Sequence, residues 1–216
     1  MMSLKSTIIM LVCIWNISTD DNPVWANKFS QSFNEEMKYP IIGKGHTKGQ
    51  FYYNWLTKQY RVDRDNGKWD RYCGSVYKFT DTPCSHIVNE GRRYLYFPHK
   101  NYCCMCCTDK GGCGVLKPNW LEGAEYKGEE TSEEGKLYKV YNQKGLQDNL
   151  VYFEKESGIM ARIIQQPNDD QSFDVKSYTE NVDDSVFELP DICDPNKKCS
   201  SFSVCGALSL IQTQQV

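Results

Sequence analysis

Tyr102-Cys103-Cys104-Met105-Cys106-Cys107-Thr108-Asp109-Lys110-Gly111-Gly112-Cys113-Gly114 holds five of the chain's eleven cysteines. Read as an extended strand, Cys103 to Cys107 puts Cys104 and Cys106 on one face and Cys103 and Cys107 on the other, because successive side chains of a strand alternate. Such a strand would staple neighbours on both sides. A bond between adjacent cysteines strains the peptide between them, so partners are expected at Cys113, in the Cys73 region or near the C-terminus. Gly111, Gly112 and Gly114 leave the chain free to bring Cys113 back.

The compartment decides between disulfide and metal chemistry. Met1 to Lys5 is short and basic, Ser6 to Trp15 is apolar, and Asp20 and Asp21 close the run, which is the pattern of a secretory signal peptide. The run is too short to span a bilayer, which takes roughly 20 apolar residues. Cleavage fits near Ser18 or Thr19, with Val24-Trp25-Ala26 as a second site. Removal of this leader takes away Cys13 and leaves Cys73, Cys84, Cys103, Cys104, Cys106, Cys107, Cys113, Cys193, Cys199 and Cys205. An even set in an oxidising compartment is a disulfide framework; in the cytosol the two Cys-x-x-Cys pairs, Cys103 with Cys106 and Cys104 with Cys107, would suggest zinc. The leader favours disulfides and a secreted or secretory-lumen location. Cys73 and Cys84 flank a short segment and are natural partners for each other. The sequence divides into residues 1–19 as signal peptide, 20–205 as a single disulfide-rich β domain, and 206–216 as a frayed C-terminal tail.

Outward from the cluster the chain is rich in strand formers. Its 216 residues suit one domain with a substantial core. Phe51, Tyr52, Tyr53, Trp55, Tyr60 and Val62 supply aromatic and β-branched side chains over Gln50 to Tyr72, and Asp65-Asn66-Gly67-Lys68 reads as the tight turn of a hairpin. Arg92 to Pro98 is a short aromatic strand whose two arginines are expected on a solvated face. Strands follow at Lys136 to Tyr141, Asn149 to Lys155, Ile159 to Gln165 and Ser172 to Tyr178. Tyr126 to Gly135 is acidic and reads as a loop. Three helical turns are expected: an amphipathic stretch with Phe29, Phe33 and Met37 four residues apart, for which an N-terminal strand is the close alternative, one started by Pro118, and Asp183 to Pro190.

Chemistry-bearing patterns are sparse. A formal net charge of -3 with interspersed signs offers no basic surface to nucleic acid. His46, His86 and His99 are scattered in turn-like surroundings and suggest no triad; Cys84 and His86 would share a strand face, but nothing signals an orienting group or an oxyanion site. Asp63, Asp65, Asn66, Gly67 and Asp70 superficially resemble a calcium loop, yet Lys68 and Gly74 stand where an EF-hand needs glycine and a bidentate acid. No catalytic residue, resident metal or cofactor is expected, with calcium the weakly supported exception.

The order of features is similar to that of secreted ependymin-related proteins: the Gln50 to Tyr53 strand, Asp65-Asn66-Gly67, Tyr94 to Pro98, the cysteine-rich strand, Pro118-Asn119-Trp120-Leu121, and Ser185-Val186-Phe187-Glu188-Leu189-Pro190 before Cys193. The likeness covers roughly residues 29 to 193. It implies a LolA-like lipoprotein-carrier architecture: mainly β (α+β), a strongly curved antiparallel sheet or half-barrel with one to three short helices, here disulfide-stapled. It also implies a non-enzymatic binder of a hydrophobic or amphipathic ligand, with calcium association in some relatives. Phe51, Tyr53, Trp55, Tyr94 and Tyr96 would line the concavity, with Trp120 near its mouth. A lipid or other apolar small molecule is then the expected partner. A ligand-free structural or adhesion module is the alternative, and a thiolate metal protein the third reading.

Overall fold

Phe29, Gln31, Phe33, Glu35 and Met37 are all buried, at every second position of one strand. The apolar members recur every four residues only because Gln31 and Glu35 stand between them, so the pattern that suggests a helix belongs to a strand with two polar residues on its buried face. This strand is the centre of the molecule. The computed structural model describes residues 22–39, 43–145 and 148–213, with side chains through residue 208, and the expected leader cleavage near Ser18 lies outside them.

Eleven strands form one antiparallel sheet: β1 (Lys28–Tyr39), β2 (Gly43–Asn54), β3 (Gln59–Arg64), β4 (Cys84–Asn89), β5 (Arg92–Phe97), β6 (Tyr102–Thr108), β7 (Glu125–Thr131), β8 (Leu137–Gln143), β9 (Asn149–Glu154), β10 (Met160–Gln165) and β11 (Asp169–Phe173). Their order is β6-β5-β4-β3-β2-β1-β11-β10-β9-β8-β7. Two meanders therefore run inward to β1 and β11, whose pairing, Phe33 opposite Phe173 and Met37 opposite Asp169, joins them. Bulges between Arg93 and Tyr94, Tyr126 and Gly128, and Met160 and Arg162 add local bend and twist. The helices are short: α1 (Cys73–Val76) and α2 (Val204–Thr213). The mainly β, disulfide-stapled class expected from the sequence is the class observed.

Several local expectations give way. The β2–β3 hairpin turns at residues 55–58, with Lys58 at positive φ, and not at Asp65-Asn66-Gly67-Lys68. Asn66 has extended backbone and caps a 3-10 turn by accepting from the Lys68 N–H. Gly67 serves close approach: a Cβ there would lie 2.5 Å from Cys84 Cβ and 2.9 Å from Cys73 Cβ. The acidic segment 126–135 carries β7, an edge strand whose exposed charges suit a border that must not pair with another sheet. Pro118 starts turns and no helix, Asp183 caps the 3-10 turn Asp184–Phe187 as expected, and the tail read as frayed from 206 is helical through Thr213.

All ten cysteines of the described chain are bridged: Cys73–Cys84, Cys103–Cys193, Cys104–Cys199, Cys106–Cys205 and Cys107–Cys113. Residues 174–199 cross one face of the sheet, exchanging backbone hydrogen bonds between Thr179 and Ser30 and burying Phe187 against Tyr52. The segment then rounds the other edge, where Met105 donates to Lys197 and accepts from Cys199. Cys103 holds it on the first face, and Cys104 and Cys106 hold it on the second. Cys107 departs from strict alternation: the bulge opposite Arg93 places it in the same buried cluster as Cys104 and Cys106.

Candidate functional site

The register assigns each residue of the central strands to one of two faces. Phe29, Gln31, Phe33, Glu35 and Met37 of β1 share a face with Phe51 and Tyr53 of β2, Tyr60, Val62 and Arg64 of β3, His86 of β4, and Asp169, Gln171 and Phe173 of β11. This inward face is divided in two. Toward one end it is aromatic; toward the other it is ionic, and Arg64 Cζ lies 5.6 Å from the Phe33 ring at the junction.

In the aromatic half, Phe51 stacks between Tyr53 and Tyr60, with centroids 6.4 and 6.3 Å away. Trp25 stands over this layer, edge-on to Phe29, Phe51, Tyr53 and Trp120 at 5.2 to 6.0 Å. The cover consists of two irregular segments, residues 22–27 and 115–124, joined by the Trp25 N–H donating to the Pro118 carbonyl at 3.0 Å. The Tyr53 hydroxyl anchors the second segment by donating to the Leu116 carbonyl at 2.8 Å. Phe51, Trp55, Tyr60, Trp120 and Tyr178 remain only partly buried around this core. Three buried polar atoms here have no partner among the described residues: the indole nitrogens of Trp25 and Trp120, and Gln31 Oε1. Gln31 uses its amide nitrogen to reach the Met160 carbonyl at 3.0 Å.

In the ionic half, Arg64 clasps Glu35 with two hydrogen bonds of 2.6 and 2.9 Å, and Gln171 donates to the same carboxylate at 2.7 Å. Asp70 Oδ2 lies 3.6 Å from Arg64, while its Oδ1 accepts from the Cys73 and Tyr72 N–H groups and from His86 Nε2 at 2.9 Å. Burial pushes the Asp70 carboxyl up, but His86, Arg64 and the Cys73 N–H outweigh it and hold Asp70 well below the usual carboxylate range. Burial holds the His86 imidazole below its ordinary value against the pull of Asp70. Burial, with Glu35 beside it, pushes the Asp169 carboxyl up to about 8 against the pull of Arg64. Asp169 Oδ1 and Arg64 Nη1 are buried without partners among the described residues.

The residues expected to line a concavity are thus only partly gathered. Phe51, Tyr53, Trp55 and Trp120 belong to the aromatic half. Tyr94 and Tyr96 project to the opposite face, where they pack with Cys103, Met105 and Cys193. Odd and even positions of β5 face opposite ways, and Leu95, not its tyrosine neighbours, shares the inward face. Arg93, expected in solvent, faces inward with its guanidinium 5.5 Å from Tyr60 and 5.3 Å from Tyr72. His86, expected near a turn, is buried in β4 on the same face as Cys84. The Cys73 and Cys84 sulfurs and a ring nitrogen of His86 lie within 4.8 Å of one another, but the two sulfurs are joined to each other and offer no thiolate. Of the calcium-like loop, Asp63 is engaged by Arg61 and Ser85, and Asp70 turns into the ionic half.

No family model matches the chain, and no curated protein matches it in sequence. Solved structures resemble its course. An uncharacterized conserved protein from Thermus thermophilus aligns over 80% of this chain and 88% of its own, at 11% identity and a TM-score of 0.46. MucB aligns over 81% of this chain and 61% of its own, at 9% identity and 0.42, and a LolA superfamily protein from Nitrosomonas europaea over 78% and 93%, at 8% and 0.36. The likenesses are distant. They concern the path of the chain and assign it no function. No helix among the described residues is long and apolar enough to cross a membrane.

Proposed function

We propose that this protein is a secreted, non-enzymatic carrier of an amphipathic or apolar ligand, taken up on the aromatic half of the inward face beneath Trp25 and Trp120. The observation that carries this reading is the set of unpaired polar atoms within the aromatic layer: two indole N–H donors and the Gln31 acceptor. A buried donor or acceptor without a partner costs about 1–3 kcal/mol, so a ligand with an apolar body and one hydroxyl or carboxyl group would satisfy what the protein leaves open. The cover that such a ligand must displace is built of two irregular segments, which open at less cost than a strand. Five disulfides suit an oxidising compartment, in keeping with the leader pattern and with the ependymin-related resemblance.

Native mass spectrometry of the protein secreted from eukaryotic cells, followed by solvent extraction and titration with palmitate, tests the reading. A non-covalent adduct that extraction removes, with palmitate binding weakened at least about tenfold by Trp120→Ala, is the expected result. A ligand-free mass together with no palmitate binding overturns the carrier. The structural or adhesion role then stands, a role favoured independently by the three bridges that fasten the C-terminal segment to β6.

A further inference from the structure

Beyond the ionic half of the inward face, at the end of β1 away from Trp25, a cavity of about 240 Å³ opens between Tyr39 and the segment 68–79. Its walls are aromatic. Trp69 lies so close over Gly45 of β2 that a Cβ at position 45 would overlap its ring, which fixes the indole against the sheet. The Tyr39 hydroxyl donates to the Trp69 carbonyl at 3.1 Å, and the two rings pack with centroids 6.1 Å apart. Phe79 stands at the rim with 73% of its surface exposed and a φ of 58°, a conformation that a large side chain rarely adopts. An aromatic side chain held outward in a disfavoured backbone state suggests a contact other than the core.

The charges around the cavity are predominantly positive. Lys68, Arg71 and Lys78 line it, against the single acid Asp70. The Asp70 carboxylate accepts from His86 and two backbone N–H groups and lies beside Arg64, while its charge also reaches Tyr39 at the cavity wall, opposed there by Arg71. Lys68 has its ammonium 5.4 Å from the Trp69 ring and 3.4 Å from the exposed Asp81. Lys78 is exposed and makes no ion pair among the described residues.

We propose that this cavity is a second binding site, for a small monoanion with a flat apolar body, such as a carboxylate or sulfonate on a single aromatic ring. The volume sets the size: it lies just below the roughly 300–1,000 Å³ typical of pockets for drug-sized ligands, so one ring with its acid group fits and a long acyl chain does not. The ring packs between Trp69, Tyr39 and Phe79. The acid group meets Lys78, Arg71 and Lys68, whose attraction is strengthened by the apolar walls. The site is distinct from the aromatic half beneath Trp25, since the two share no lining residue and the Glu35–Arg64 pair lies between them on the face.

Benzoate and its neutral isostere benzamide, titrated into the full chain, are suitable probes. Binding is read from saturation-transfer signals and from the Trp69 indole N–H resonance, assigned with Trp69→Phe. Benzoate is expected to shift that resonance and to bind at least about fivefold more tightly than benzamide, with an affinity that falls as salt rises. Lys78→Glu, at an exposed position without an ion pair, is expected to weaken benzoate about five- to tenfold while leaving palmitate binding unchanged. Equal binding of benzoate and benzamide, an unaltered benzoate affinity in Lys78→Glu, or no saturation by benzoate at about 10 mM would each overturn the proposal.

Discussion

Arg64 and Glu35, on strands separated by β2, meet through a two-pronged hydrogen bond of 2.6 and 2.9 Å with their side chains 6% and 2% exposed. Such a pair adds little net stability over apolar residues of the same shape, but loss of one member strands the other in a dry interior. Arg64→Met leaves Glu35 and Asp70 facing each other without their cation and is expected to cost about 3–5 kcal/mol. Glu35→Gln leaves Arg64 with Asp70 and costs less. The double variant is expected to recover part of the loss, so the urea-unfolding free energies should be non-additive by at least about 1 kcal/mol.

Asp169 gives the same cluster a pH dependence. Its folded carboxyl is pushed up to about 8, chiefly by burial, while in the unfolded chain it titrates near an ordinary carboxyl. Between those values the folded state holds a proton that the unfolded state has released, so stability falls as pH rises through the window and levels off above it. His86 acts oppositely, because burial lowers its folded imidazole below the unfolded value of about 6.5 and costs stability only as pH falls below that value. Glu35, Arg64, Asp70 and Arg71 supply the field at Asp169, and Asp70, Arg64 and Arg93 the field at His86. Between pH 6.5 and 8 only the Asp169 slope remains, and wild-type stability is expected to drop by about 1–2 kcal/mol. Asp169→Asn should flatten that slope in urea titrations; an unchanged slope would assign the proton elsewhere.

Much of the fold was legible in the sequence because strand chemistry is local. The aromatic Phe51 to Tyr53 stretch and the meander after Lys136 announced themselves, and the spacing of Cys103, Cys104 and Cys106 foretold a strand clamped from both sides. What was hidden depended on partners far along the chain. Glu35 sits on a buried face only because Arg64 and Gln171 meet it there, and without that knowledge β1 reads as a helix. Asn66-Gly67 has the composition of a hairpin turn, but the crowding of Cys73 and Cys84 against Gly67 is a tertiary fact. The alternation that puts Tyr94 and Tyr96 behind the sheet is readable once Leu95 is known to face the core, so those two assignments were open to correction from the strand pattern alone.

The three bridges between β6 and the C-terminal segment close loops of 90, 95 and 99 residues, but they are not independent. With Cys104–Cys199 intact, removal of Cys103–Cys193 opens a ring on the order of 8 residues, and the loop-entropy model gives a loss of about 2.5 kcal/mol. Removal of all three releases the whole segment, exposes the β6 edge and is expected to cost well over twice as much, with aggregation. Paired Cys→Ala variants compared by thermal unfolding and light scattering check this. Equal losses from one bridge and from three would show that the segment stays in place by packing alone.

Gly45 and Trp69 are fitted to each other, since any side chain at 45 meets the indole ring. Gly45→Ala must displace Trp69, weaken its packing with Tyr39 and put at risk the hydrogen bond from the Tyr39 hydroxyl to its carbonyl. Overpacking of this kind typically costs about 1–3 kcal/mol. If steric conflict with the ring is the cause, Gly45→Ala combined with Trp69→Ala should be nearly as stable as Trp69→Ala alone, because truncation at Cβ removes the Cγ and ring atoms that the methyl group would meet. Unfolding free energies of the four proteins in this cycle decide the matter: a loss that persists in the Trp69→Ala background would trace the cost to the backbone of β2, and its disappearance to the indole.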